Sequence, residues 1–74
     1  MDVARISNVL RELFPRLEQS QFNAITKFRE LEELVAGNEV SAEVTDVGRQ
    51  LRLMQFDVAL DRLNSIATKY DWTS

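Results

Sequence analysis

The chain has no cysteine and no histidine, a single proline, Pro15, and only two glycines, Gly37 and Gly48. Without cysteine there is neither a disulfide nor a thiolate metal site. Without histidine, imidazole acid–base catalysis, the commonest metal ligand and any phosphohistidine are excluded. Two separated glycines cannot build a loop that cradles phosphate. No apolar run approaches the roughly 20 residues of a membrane-spanning helix, and no signal-peptide pattern precedes the first helix. The expected location is therefore cytoplasmic, whether the chain stands alone or is part of a larger protein, and no membrane insertion is expected. Basic charge is also in short supply. Nine Lys and Arg face twelve Asp and Glu, for a net charge of −3, which speaks against nucleic acid and anionic membranes as partners.

What remains for chemistry is carboxylate. Glu30, Glu32, Glu33, Glu39, Glu43 and Asp46 form a run uninterrupted by Lys or Arg, and such a run reads first as a solvated surface. Glu30 and Glu33 share a helix face, but a carboxylate-only metal site needs more convergent ligands. No serine or threonine stands beside a base that would mark it as a nucleophile. An enzyme is not expected, and no catalytic, cofactor-binding or metal-ligating residue is assigned.

What is present is helical periodicity. Seventy-four residues make one domain. Val3, Ile6, Val9, Leu10, Leu13, Phe14 and Leu17 mark a first amphipathic helix over about 3–18, with Asp2 as its N-cap and a kink expected at Pro15. A second helix, over about 20–36, carries Phe22, Ala24, Ile25, Phe28, Leu31, Leu34 and Val35, with Ser20 as N-cap and Gly37-Asn38 as its stop. A third, over about 40–53, shows Val40, Val44, Val47, Leu51 and Met54 at spacings of four and three. Gly48 in its middle is expected to admit a neighbouring helix. The fourth, over about 56–70, shows Phe56, Ala59, Leu60, Leu63, Ile66, Ala67 and Tyr70. Trp72 lies beyond the last periodic residue and is expected to fold back over one end.

Four helices with short turns predict an all-α, compact antiparallel four-helix bundle. The expected core is Val9, Leu13, Leu17, Phe22, Ile25, Phe28, Leu31, Val44, Val47, Leu51, Phe56, Leu60, Leu63 and Ile66. An apolar stripe on the first helix beyond what three neighbours can cover would allow a homodimer.

Two passages carry a resemblance. Leu10-x-x-Leu13-Phe14-Pro15-x-Leu17 is followed by Phe22-x-Ala24-Ile25-x-x-Phe28-x-x-Leu31. Leu51-x-x-Met54-Gln55-Phe56-Asp57-x-Ala59-Leu60-x-x-Leu63 closes the pattern. From about Leu10 to Ile66 this resembles a small helical, phosphotransfer-like domain near the C-terminus of hybrid sensor histidine kinases and related proteins of two-component signalling. Lacking histidine, the chain cannot carry that family's phosphoryl group. The resemblance implies a non-catalytic protein–protein interaction or regulatory module that docks a receiver or kinase domain. It places the docking face on the first two helices, where the off-stripe residues include Arg11, Arg16, Gln21, Lys27 and Glu30. Their basic charge would suit the acidic pocket of a receiver. A second resemblance rests on Gln-Phe at 21–22 and again at 55–56, a 34-residue interval that is similar to tetratricopeptide repeats. It implies a helical scaffold for a peptide or partner helix, although the tryptophan, glycine and tyrosine landmarks of such units are missing.

Overall fold

The four periodic stretches become four helices in the computed structural model, which describes residues 2–72. They are α1 Val3–Glu18, α2 Asn23–Val35, α3 Ser41–Arg52 and α4 Phe56–Lys69. Asp2 caps α1 as its side chain predicts, accepting the Arg5 N–H at 3.1 Å. α1 then runs unbroken through Pro15. The proline stands on the exposed side in the last turn, where the carbonyl it leaves without a donor can turn to water.

Each helix packs on its neighbours in sequence, and α1 also packs on α4. The diagonal pairs do not approach. The ring is therefore closed, as an antiparallel four-helix bundle requires. A tetratricopeptide array would keep its first and last helices apart, so the 34-residue echo does not correspond to that stacking.

Inside the ring lie Ile6, Leu10, Leu13 and Leu17 of α1, facing Phe28, Leu31 and Val35 of α2. Val44, Val47 and Leu51 of α3 and Ala59, Leu63 and Ala67 of α4 complete the interior. Among the described residues no polar or charged side chain is buried, save the indole nitrogen of Trp72. Three of the expected core residues sit differently. Ile25 and Leu60 are half-buried against the core, and Phe22 is 69% exposed. Phe22 departs because α2 begins only at Asn23, about three residues later than expected, which leaves Phe22 ahead of the helix. Ser20 is not its N-cap; it lies in the preceding turn with φ +52°.

Gly48 brings α2 and α3 together. A Cβ at this position would lie 3.0 Å from Cε2 of Phe28, a ring that is itself fully buried.

Three of the four helices stop in the same way. Ser20, Met54 and Asp71 each adopt a left-handed conformation, with φ of 52°, 62° and 57°. Around each, two backbone bonds close a Schellman motif. Gln21 N–H donates to Arg16 and Ser20 N–H to Leu17. Gln55 donates to Gln50 and Met54 to Leu51. Trp72 donates to Ala67 and Asp71 to Thr68. None of the three left-handed residues is a glycine. Only Gly37, with φ +82° after α2, relieves a positive φ without steric cost. The last closure explains Trp72. The residue after the left-handed position is turned back onto the final helical turn, and there the indole is buried and stacks on Tyr70 with ring centroids 5.7 Å apart.

Two substitutions test this account. Ser20→Gly removes the left-handed penalty of roughly 1–2 kcal/mol but adds unfolded-chain entropy of about half that. The expected result is a gain of about 0.5–1 kcal/mol in chemical denaturation. Gly48→Ala is expected to lose about 1 kcal/mol net, because overpacking against Phe28 outweighs the gain in helix propensity; a more stable variant would show that the ring can give way.

Candidate functional site

Three surfaces hold the side chains from which a site could be built. The first is the α1–α2 face, where sequence reasoning placed Arg11, Arg16, Gln21, Lys27 and Glu30. The fold gathers Arg16, Lys27 and Glu30 around a shallow hollow shared with Asn23 and Thr26. Lys27 is clamped between two carboxylates, Glu12 and, at 2.8 Å, Glu30. The hydrogen bond and charge of Lys27 hold the Glu12 carboxyl below its usual range. The same bond to Glu12, followed by that to Glu30, raises Lys27. Arg16 turns its guanidinium back to the Glu12 carbonyl at 2.8 Å. Gln21 lies in the α1–α2 turn and donates its side-chain amide to Gln19. Arg11 is exposed, in none of the ion pairs among the described residues, and on a different side of α1 from Arg16. The basic charge of this face is thus largely answered from within the chain.

The second surface is the seam between α3 and α4. Asp46 pairs with Arg62, Glu43 accepts from Lys69 at 3.1 Å, and Tyr70 Oη donates to Glu43 at 2.7 Å. Lys69 also lies 5.3 Å from the centre of the Tyr70 ring. The Tyr70 hydrogen bond, with that of Lys69, lowers the Glu43 carboxyl below its ordinary value, and the bond to Glu43 raises the Tyr70 phenol. These contacts lace one helix to the next, joining Glu43 to the same C-terminal turn that buries Trp72. Nowhere among the described residues do three acidic side chains converge to hold a metal ion.

The third surface is the end where the α1–α2 and α3–α4 turns meet. Phe22 from the first turn packs edge-on against Phe56, which opens α4, at 6.4 Å between ring centroids. Leu53 and Met54 lie in the α3–α4 turn, separated from Phe56 by Gln55. Phe22, Leu53 and Met54 are 69%, 60% and 49% exposed, and Val3, on α1's first turn, is the other large apolar side chain as open as these among the described residues. Sequence reasoning put Phe22 in the core, placed Met54 on the stripe of the third helix, and gave Leu53 no role. The stripe of α3 in fact ends at Leu51, and Met54 is turned outward by its left-handed backbone. A bundle whose three most exposed large apolar side chains stand at one end has a surface of the kind that carries binding energy in interfaces.

No family model matches the chain, and no curated protein or solved structure does. No described helix is long and apolar enough to cross a membrane.

The Glu43 network yields a pH prediction. A carboxyl whose folded pKa is lowered stabilises the fold above the unfolded pKa, and that contribution is lost as the pH falls through the folded value. A carbon-detected NMR titration should place Glu43 below the ordinary glutamate midpoint, and Tyr70→Phe should move it upward. Identical midpoints in the two proteins would count against the Tyr70 bond.

Proposed function

We propose that this bundle is a non-catalytic protein-interaction module that docks its partner on the turn end. The observation that carries the reading is the exposure of Phe22, Leu53 and Met54 in a chain whose interior is otherwise complete. Supporting it, Met54 holds a left-handed conformation that costs a residue with a side chain roughly 1–2 kcal/mol. A glycine would occupy that position without the penalty but would remove the thioether from the surface. Methionine is an adaptable contact at binding surfaces, and a large aromatic side chain supplies anchor area.

The partner class follows from the resemblance to helical domains of two-component proteins: a receiver or kinase domain. Gln21, adjacent to Phe22 in the α1–α2 turn, lies beside this end, whereas the exposed Arg11 stands on another side of α1 from Arg16. Lys27, held by Glu12 and Glu30, is expected to contribute little.

The test is a titration of isotope-labelled bundle with receiver and kinase domains, read by NMR. Binding should shift the signals of Phe22, Leu53 and Met54 more than those of Lys27 and Glu30. Leu53→Asp should weaken binding at least tenfold without changing the helical circular dichroism spectrum. Shifts confined to the α1–α2 face would move the docking site there, and an absence of binding to every such domain would sink the two-component assignment.

A further inference from the structure

We infer that, in the absence of a receiver or kinase domain, a second copy of this chain covers the turn end, docked end to end about a two-fold axis. This rests on the docking reading above and adds the identity of one occupant. Charge is distributed unevenly around the end that exposes Phe22, Leu53 and Met54.

At this end Arg52, Glu18 and Asp57 are all exposed, and none takes part in an ion pair among the described residues. Helix geometry separates them by sign. On α3, Glu43 and Asp46 mark the side that faces α4, through their bonds to Lys69 and Arg62. At about 100° per residue, Arg52 stands roughly 120–180° around the helix from both, on the α2 side. On α4, Arg62 and Lys69 mark the side that faces α3. Asp57 stands roughly 120–140° away, toward α1. On α1, Glu12 and Arg16 mark the α2 side, and Glu18 lies roughly 120–160° away, toward α4. The α2–α3 edge of the turn end is therefore basic and the opposite, α1–α4 edge is acidic.

An apolar centre between edges of opposite charge is self-complementary. A two-fold axis lying in the plane of the end, parallel to those edges, sets Arg52 of each copy against Glu18 and Asp57 of the other, with the apolar centres in contact. That is the isologous arrangement that a dimer interface requires. The size of the end limits the affinity. The shorter dimensions of the bundle are 21 and 19 Å, so each copy offers on the order of 400 Å², about half of a standard interface. A weak dimer follows, with a dissociation constant on the order of 10⁻⁴ M and with association slowed by salt.

The experiment is sedimentation equilibrium of the whole chain from about 10 μM to 1 mM, at low and high salt. The expected result is a mass that rises from monomer toward dimer with a midpoint near 0.1 mM. Leu53→Asp should remain monomeric across the range. Arg52→Glu should weaken the dimer about tenfold or more, and the triple exchange Arg52→Glu, Glu18→Arg, Asp57→Arg should restore it, since both edges are then inverted together. All four positions are exposed, and a circular dichroism spectrum confirms that each variant is folded. A monomer at 1 mM overturns the inference, as does a dimer that ignores either Leu53→Asp or the charge exchange. If the protein is monomeric but a receiver or kinase domain still shifts Phe22 and Leu53, the second copy is wrong and the docking reading stands. If it dimerises as described but binds no such domain, the two-component assignment is wrong and the second copy stands.

Discussion

The left-handed residue after each of three helices is the constraint on which the rest of the bundle depends. A helix ends with carbonyls that have no partner inside it. Ser20, Met54 and Asp71 answer this by reversing the backbone so that the next amides reach back to the last turn. These closures make the connections short enough for antiparallel neighbours. They also decide what is exposed. After α4 the reversal folds Trp72 onto the bundle and shuts one end. After α3 it swings Met54 outward and leaves the other end apolar. One backbone motif therefore buries a large side chain in one place and presents one in another.

Most of the fold was legible in the spacing of apolar residues. Val3–Glu18 and Phe56–Lys69 are marked by stripes at three and four, and Asp2 has the side chain of an N-cap. Gly48 was legible as a place of close approach, because a glycine inside an otherwise periodic helix usually reflects packing. The start of α2 was not. Ser20 has a good capping side chain, but the Schellman closure of α1 claims its backbone, and the second helix cannot begin until Asn23. Phe22 consequently falls off the stripe to which its spacing had assigned it. The outward turn of Met54 was illegible for a related reason. Glycine is the usual sequence signal for a left-handed residue, and none stands at any of the three closures.

The candidate site was the least legible part, because charge was easier to read than its compensation. Lys27 looks like a free cation in the sequence. In the fold, Glu12 reaches it from one helix and Glu30 from its own. The acidic run from Glu30 to Asp46 looked like a solvated surface, yet two of its members, Glu43 and Asp46, hold α3 to α4. The pairings between helices join positions 15 to 27 residues apart, beyond the reach of periodicity. The exposed trio at the turn end was hidden by the opposite difficulty: each member is a residue type that belongs in a core.

The closed ring of helices also bears on how the chain comes together. Three of its four interfaces join helices adjacent in sequence, so most loops that must close are short and their entropic cost is small. Only the packing of α1 on α4 spans the chain. The two hairpins, α1–α2 and α3–α4, each have an apolar interface of their own, and the second is further tied by Asp46–Arg62 and Glu43–Lys69. Such a topology favours folding in microseconds to milliseconds, with α1–α4 as the seam that completes the ring. A breathing motion that keeps both hairpins internally paired must part α1 from α4 and α2 from α3 together.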